Sequence, residues 1–159
     1  MTSAVFMRFV CRIGLLSLII LLAACNSGGG SGGNRVVPGH IWTWISGSNT
    51  IDQSGQYGTK GVTAASNVPG ARDSSLSWTD SQGDMWLFGG EGKDSAGNTG
   101  YLNDLWRWDG SNWIWISGSD TVNEPGNYTP GGVNPPTPGA RHSAVGWVDA
   151  NDDLWLFGG

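Results

Sequence analysis

The sequence predicts an all-β protein built from small antiparallel sheets, and three features support this prediction. Residues 86–90 (Trp-Leu-Phe-Gly-Gly) recur as residues 155–159. The alternating side chains of this segment are apolar on both faces, so neither face of the strand would meet water. The chain also has 27 glycines, which suit turns, and 10 tryptophans, which carry much apolar surface. A repeated strand that needs cover on both faces is typical of sheets stacked between similar sheets.

The first 24 residues have the pattern of a secretory signal peptide. Arg8 and Arg12 precede an apolar run at residues 13–24, which is shorter than the roughly 20 residues of a membrane-spanning helix. Residues 22–25 (Leu-Ala-Ala-Cys) resemble the lipobox of bacterial lipoproteins. The resemblance implies that Cys25 becomes the lipid-modified first residue of the mature chain, which the lipid anchors to the membrane. The alternative is an ordinary cleaved signal peptide in which Cys25 is incidental.

Residues 25–40 combine the lipidated cysteine with a glycine- and serine-rich linker. Such a linker cannot pack and would hold a domain about 20 Å from a bilayer. Asn26 follows the cysteine where an aspartate would signal retention at the inner membrane, so the resemblance implies the outer membrane and a location in the cell envelope. The formal charge of −5 becomes −7 without Arg8 and Arg12, which argues against nucleic-acid binding. No cysteine follows Cys25, which excludes disulfides and thiolate metal sites beyond it.

An internal repeat organises residues 41–159. Residues 42–50 return as 113–121, an offset of 71, and residues 69–74 return as 138–143, an offset of 69. Eight of the ten tryptophans are paired by these offsets, which indicates that they fill structural positions.

One full repeat predicts four strands, at residues 74–79, 84–88, 102–108 and 112–116. Short turns at 80–83 and 109–111 alternate with long loops at 89–100 and 118–140. Because consecutive turns of an up-and-down sheet alternate between its ends, both long loops would lie on one face. We expect a ligand on that face. Its candidate residues are Glu91, Asp94, Asp120, Glu124 and Tyr128.

The repeat resembles the kelch repeat, through a set of markers that occur together. They are Gly89, Gly90, Gly158 and Gly159, the Pro-Gly-Ala-Arg segments ending at Arg72 and Arg141, the strand tryptophans Trp86 and Trp155, and residues 101–109 with Trp108, followed by Trp113. The resemblance implies a kelch-type β-propeller fragment in residues 41–159, with one complete four-stranded blade plus two partial blades. The period near 70 departs from the usual ~50.

The resemblance also implies missing blades, since propellers close with about four to eight. We expect these blades in a longer chain or through oligomerisation. The expected function is a protein- or glycan-binding module without cofactor, metal or catalytic residue. One alternative is the N-terminal fragment of an enzyme similar to galactose oxidase, whose copper site uses tyrosine, histidine and a tyrosine-linked cysteine. Only His40 and His142 are available after Cys25. Another alternative is a truncated remnant without independent function.

Several residues have both a structural and a functional interpretation. Arg72 and Arg141 occupy equivalent positions, so a planar fork tying neighbouring strands is favoured over substrate contact. His142 has an aspartate as its counterpart in the repeat, so the fold does not require histidine there. A structural role is favoured over a catalytic one, because no serine or cysteine nucleophile is suitably spaced with it. Residues 149–153 begin like a calcium loop, but Leu154 replaces the required glycine, so a hairpin turn is favoured. Packing between blades is favoured over stacking on sugars for Trp42, Trp44, Trp113 and Trp115.

Overall fold

The computed structural model describes residues 6–10, 41–128 and 136–159. Within these ranges the chain forms nine β-strands and no helix, and every strand pair is antiparallel. The predicted all-β class with antiparallel sheets is confirmed, and none of the described sheets closes on itself. The described part of the chain contains no helix long and apolar enough to span a membrane. The predicted lipidation site Cys25 lies outside the described residues.

The chain divides into two compact units, of which the smaller is Phe6–Ser46. It contains strand β1 (Phe6–Val10) and strand β2 (Ile41–Ser46), which pair antiparallel. Strand β1 falls within the predicted signal peptide, where the sequence predicted no strand.

The larger unit contains a five-stranded antiparallel sheet. The order is β3–β5–β6–β7, and β4 pairs with the same edge of β5 as β3 does, because β6 occupies the other edge. Strands β4 to β7 correspond to the four predicted strands, and β3 is an additional short strand before the first of them. The strands are β3 (Arg72–Asp73), β4 (Leu76–Thr79), β5 (Met85–Lys93), β6 (Thr99–Trp108) and β7 (Trp113–Ser117).

Strands β5 and β6 are longer than predicted. The sequence predicted that β5 ends at Phe88 and that residues 89–100 form a long loop. Instead, Gly89 and Gly90 adopt φ angles of 61° and 98° and form a bulge, after which pairing continues to Lys93. A Cβ on Gly89 would lie 2.7 Å from the carbonyl oxygen of Arg141. The glycines thus allow a close backbone approach within the strand and do not end it.

A hairpin of β8 (Val145–Val148) and β9 (Leu154–Phe157) packs against β4. The contact is close because β8 contributes Gly146, where a Cβ would lie 2.7 Å from side-chain atoms of both Leu76 and Trp78. The largest fully buried apolar side chains are Trp106 and Leu102, both on β6. The core of this unit therefore lies around β6, and the hairpin packs against side chains of β4.

Candidate functional site

A buried polar cluster centres on the carboxylate of Asp104, in the middle of β6. Arg72 donates to both of its oxygens, at 2.6 Å to Oδ1 and 2.7 Å to Oδ2. The Tyr57 hydroxyl and the Trp106 indole N–H also donate to Oδ2, at 2.8 and 2.7 Å. All four side chains are buried. The carboxylate is therefore saturated by a two-pronged ion pair and two neutral donors.

Glycines and aromatic rings position this cluster. The Arg72 guanidinium also donates to the carbonyl oxygens of Gly70 and Gly89, at 3.0 and 3.1 Å, which fixes its plane. The Tyr57 ring packs against Trp106, with ring centroids 4.9 Å apart. A Cβ on Gly55 would lie 2.5 Å from the Tyr57 ring, so the ring lies directly over the backbone. These contacts leave each donor in one orientation.

The electrostatics of the cluster keep Tyr57 neutral and Arg72 charged. Burial, together with the negative charge of Asp104, raises the pKa of the Tyr57 hydroxyl above its ordinary value. Burial alone would lower the pKa of Arg72, but the Asp104 carboxylate outweighs it, and the pKa is raised. The cluster is thus closed to solvent and fixed in protonation, which suits a structural tie between β3 and β6.

The second repeat contains the same cluster in incomplete form. We call residues 47–117 module 1 and residues 118–159 module 2. Arg141, the counterpart of Arg72, donates from Nε to the Gly139 carbonyl at 3.1 Å and from Nη1 to the Gly158 carbonyl at 2.8 Å. Its Nη2 donates to the Tyr128 hydroxyl at 2.9 Å. Among the described residues no carboxylate contacts this guanidinium, and Tyr128 is 64% exposed.

The surrounding backbone also recurs between the modules. The bridge between Gln56 and Val68 has a counterpart between Asn127 and Thr137. The positive φ angle of Ser74, 51°, is matched by 55° at its counterpart in module 2. Module 2 therefore has the same backbone conformation around its arginine as module 1. The two modules differ in the partners of that arginine, which are Asp104 for Arg72 and Tyr128 for Arg141.

An apolar face of the β8–β9 hairpin is exposed. Cross-strand pairing places Val145 opposite Phe157 and Trp147 opposite Trp155 on this face. Phe157 is 72% exposed and Trp147 50%, whereas their counterparts in module 1, Phe88 and Trp78, are 5% and 7% exposed. The two hairpin tryptophans stack with centroids 5.8 Å apart and planes 2° apart. We call these four residues the aromatic face.

The residues predicted to form a ligand face take different positions. Asp94 is fully buried in the turn between β5 and β6, where it accepts hydrogen bonds from the amides of Ala96 and Asn98. Although burial by itself raises the pKa of Asp94, the Asn98 hydrogen bonds outweigh it and lower the pKa. Asp120 accepts a hydrogen bond from Ser95 of that turn at 3.3 Å. The two predicted long loops therefore do meet, but Asp94 is not exposed to a ligand.

The other predicted residues take part in local structure. Glu91 lies half-buried on β5, and Glu124 accepts a hydrogen bond from Thr121 at 2.8 Å. Trp108 and Trp113 are buried against one another, with centroids 5.5 Å apart. In the turns, the indoles of Trp86 and Trp155 donate to Asp80 and Asp149, each at 2.9 Å.

The suggested calcium loop is a hairpin turn in the structure. Asp149 accepts the amides of Asn151 and Asp153 and the Trp155 indole. These bonds, led by the indole, lower the pKa of Asp149. The described residues contain no group of three or more His, Cys, Asp or Glu that could hold a metal ion. His142 stacks on Tyr101, with ring centroids 4.7 Å apart.

The sequence reasoning missed Tyr57 and Asp104, the partners of Arg72. A signal for the tyrosine was present, because Gly-Gln-Tyr at residues 55–57 returns as Gly-Asn-Tyr at 126–128 with the same offset of 71. No comparable signal pointed to Asp104. Comparison with known proteins finds no matching family model and no significantly similar curated protein or solved structure.

Proposed function

We propose that the chain is an exported, lipid-anchored binding module of the kelch-repeat type, which binds a protein at the cell envelope. The observation that carries this proposal is the aromatic face of the β8–β9 hairpin. Contiguous exposed apolar surface of this kind is typical of interaction sites in soluble proteins. Its aromatic content is also typical of the centre of protein interfaces.

Module 1 indicates what kind of partner fits the aromatic face. The equivalent side chains, Trp78 and Phe88, are both buried, and the module 2 hairpin packs against Trp78 through Gly146. A β-sheet face with a small residue at its centre thus covers this surface in one of its two occurrences. We propose that the partner is a protein that presents such a sheet face.

The anchor in this proposal is supported by the sequence alone. Residues 22–25 resemble a lipobox, and the glycine- and serine-rich residues after Cys25 would separate the binding unit from the membrane. Acyl chains on Cys25 would supply about 0.8 kcal/mol of membrane affinity for each buried methylene. With this arrangement the module would meet partners close to the outer membrane surface.

A glycan ligand is a second candidate, favoured by the stacked indoles of Trp147 and Trp155, since aromatic rings suit the apolar faces of sugars. However, the indoles stack on each other, so part of each ring is already covered. Val145 and Phe157 extend the surface with apolar side chains that carry no hydrogen-bonding group. A sugar hydroxyl there would lose its water without a partner, which favours a protein.

The test is photocrosslinking in cells that express the full chain. A photoreactive amino acid is placed at Phe157 and, as a control, at Ile51, which is 67% exposed outside the aromatic face. We expect a protein adduct of defined mass from position 157 only, and its loss when Trp155 is replaced by serine. Equal adducts from both positions, or none from position 157, would contradict the proposal. Glycan-array binding that depends on Trp147 and Trp155 would instead favour the glycan.

A further inference from the structure

We infer that residues 58–67 form a strap that closes the outer edge of β7 and keeps it from pairing with β7 of a second copy of this chain. Strand β7 is the last strand in the order of its sheet, and among the described strands it pairs only with β6. An open edge of this kind is a template for any extended chain. The role of the strap is independent of the partner proposed for the aromatic face.

The sequence of β7 makes an uncovered edge prone to self-association. Residues 113–117 (Trp-Ile-Trp-Ile-Ser) contain no charge, glycine or proline. Aromatic and β-branched residues favour strands, and short uncharged segments rich in them are typical of association between identical chains. A strand that pairs with its own copy about a twofold axis does so antiparallel, as every described strand pair of this protein does. The chemistry of the edge therefore points to a second β7 as the occupant that the strap excludes.

The strap supplies hydrogen-bond donors to main-chain carbonyls of β7. The Gly61 amide donates to the Trp115 carbonyl at 2.8 Å, and the Asn67 side-chain amide donates to the Trp113 carbonyl at 3.1 Å. Carbonyls two residues apart lie on the same edge of a strand, so the strap follows a single edge of β7. A second strand would need these same acceptors and the space beside them. Strap and second strand therefore exclude each other.

Asn67 holds the strap in this position. Its side chain is buried, with 3% of the residue exposed, and Nδ2 also donates to the Val62 carbonyl within the strap at 3.0 Å. The base of the strap is closed by the antiparallel bridge between Gln56 and Val68. One amide group therefore ties the middle of the strap to β7, and the strap can leave the edge only when these bonds are broken.

Lys60 places a positive charge at the same edge. Its ammonium group lies 4.5 Å from the centroid of the Trp115 ring, within the range of a cation–π interaction. Lysine commonly protects edge strands, because a second strand would have to bury its charge. The strap thus opposes pairing in two ways, by occupying the carbonyls of β7 and by charge.

The test is sedimentation velocity of the full-length chain in detergent over a range of concentrations. We expect Asn67→Ala to lower the dimer dissociation constant by at least about tenfold relative to the wild-type chain, because a strap without its two side-chain bonds is displaced more easily. Asn103→Ala is the matched control. Asn103 is also 3% exposed and its Nδ2 also donates to a loop carbonyl, that of Pro138 at 3.1 Å, but it is not part of the strap. This variant should leave the constant unchanged.

Two further variants keep the test decisive if Asn67→Ala does not fold. Lys60→Gln changes an exposed side chain and should lower the dissociation constant about two- to threefold. Ile116→Lys adds a charge to β7 and, combined with either strap variant, should restore the monomer. Strap variants that stay as monomeric as the wild-type chain, equal association of Asn103→Ala, or dimers that persist with Ile116→Lys would each overturn the inference.

Discussion

Replacing Asp104 with asparagine tests whether the buried cluster holds the main sheet together. The substitution keeps the shape of the side chain but removes the charge opposite Arg72, whose side chain is 2% exposed. Each carboxylate oxygen accepts a prong of the guanidinium, so the new NH₂ group must face an N–H donor wherever it lies. Removing one partner of a buried ion pair costs about 3–5 kcal/mol. That is a large share of the 5–15 kcal/mol typical of a folded domain.

Urea denaturation followed by tryptophan fluorescence measures this loss. We expect a lower midpoint with an unchanged slope, which indicates a change in stability without a change in the surface exposed on unfolding. Asp73→Asn, an exposed substitution on β3 beside Arg72, is the matched control and should change stability by less than about 0.5 kcal/mol. The double variant Arg72→Met with Asp104→Asn should lose less than the sum of the single losses. A loss below about 1 kcal/mol for Asp104→Asn would refute the reasoning.

Three further predictions follow from the structure and the sequence. Because the folded state raises the pKa of Tyr57, the free energy of unfolding should hold up to pH about 10 and fall above it, and Tyr57→Phe should reduce that fall in denaturation series at alkaline pH. Gly89→Ala should lower the melting temperature more than Gly83→Ala, since both have positive φ but only Gly89 lacks space for a Cβ; equal shifts would contradict the close approach. Cys25→Ser should abolish incorporation of labelled palmitate, and persistent labelling would refute lipidation there.

The positions of strands β4 to β7 were predictable from the sequence, but the lengths of β5 and β6 and the existence of β1 were not. Alternating apolar side chains around Trp86 and Trp106 marked β5 and β6 correctly. The double glycine after Phe88 predicts the end of a strand, because glycine readily takes the positive φ angles at which a strand stops. Here it forms a bulge whose backbone contacts Arg141, a residue more than fifty positions away. Only the folded chain brings the Arg141 carbonyl group next to Gly89, so the local sequence could not indicate that β5 continues past the two glycines.

The site was predictable only in part, for the same reason. The repeated Arg72 and Arg141 were visible because they recur, but nothing in the sequence marked Asp104, the one acidic residue of β6, as the partner of Arg72. Its burial follows from the packing of Trp106 and Tyr57 around it. Asp94 was expected on an exposed loop, yet it is buried by its own turn, whose amides it caps. An acidic residue near a turn can therefore be exposed to solvent or buried by the amides it caps, and the sequence alone does not separate these two cases.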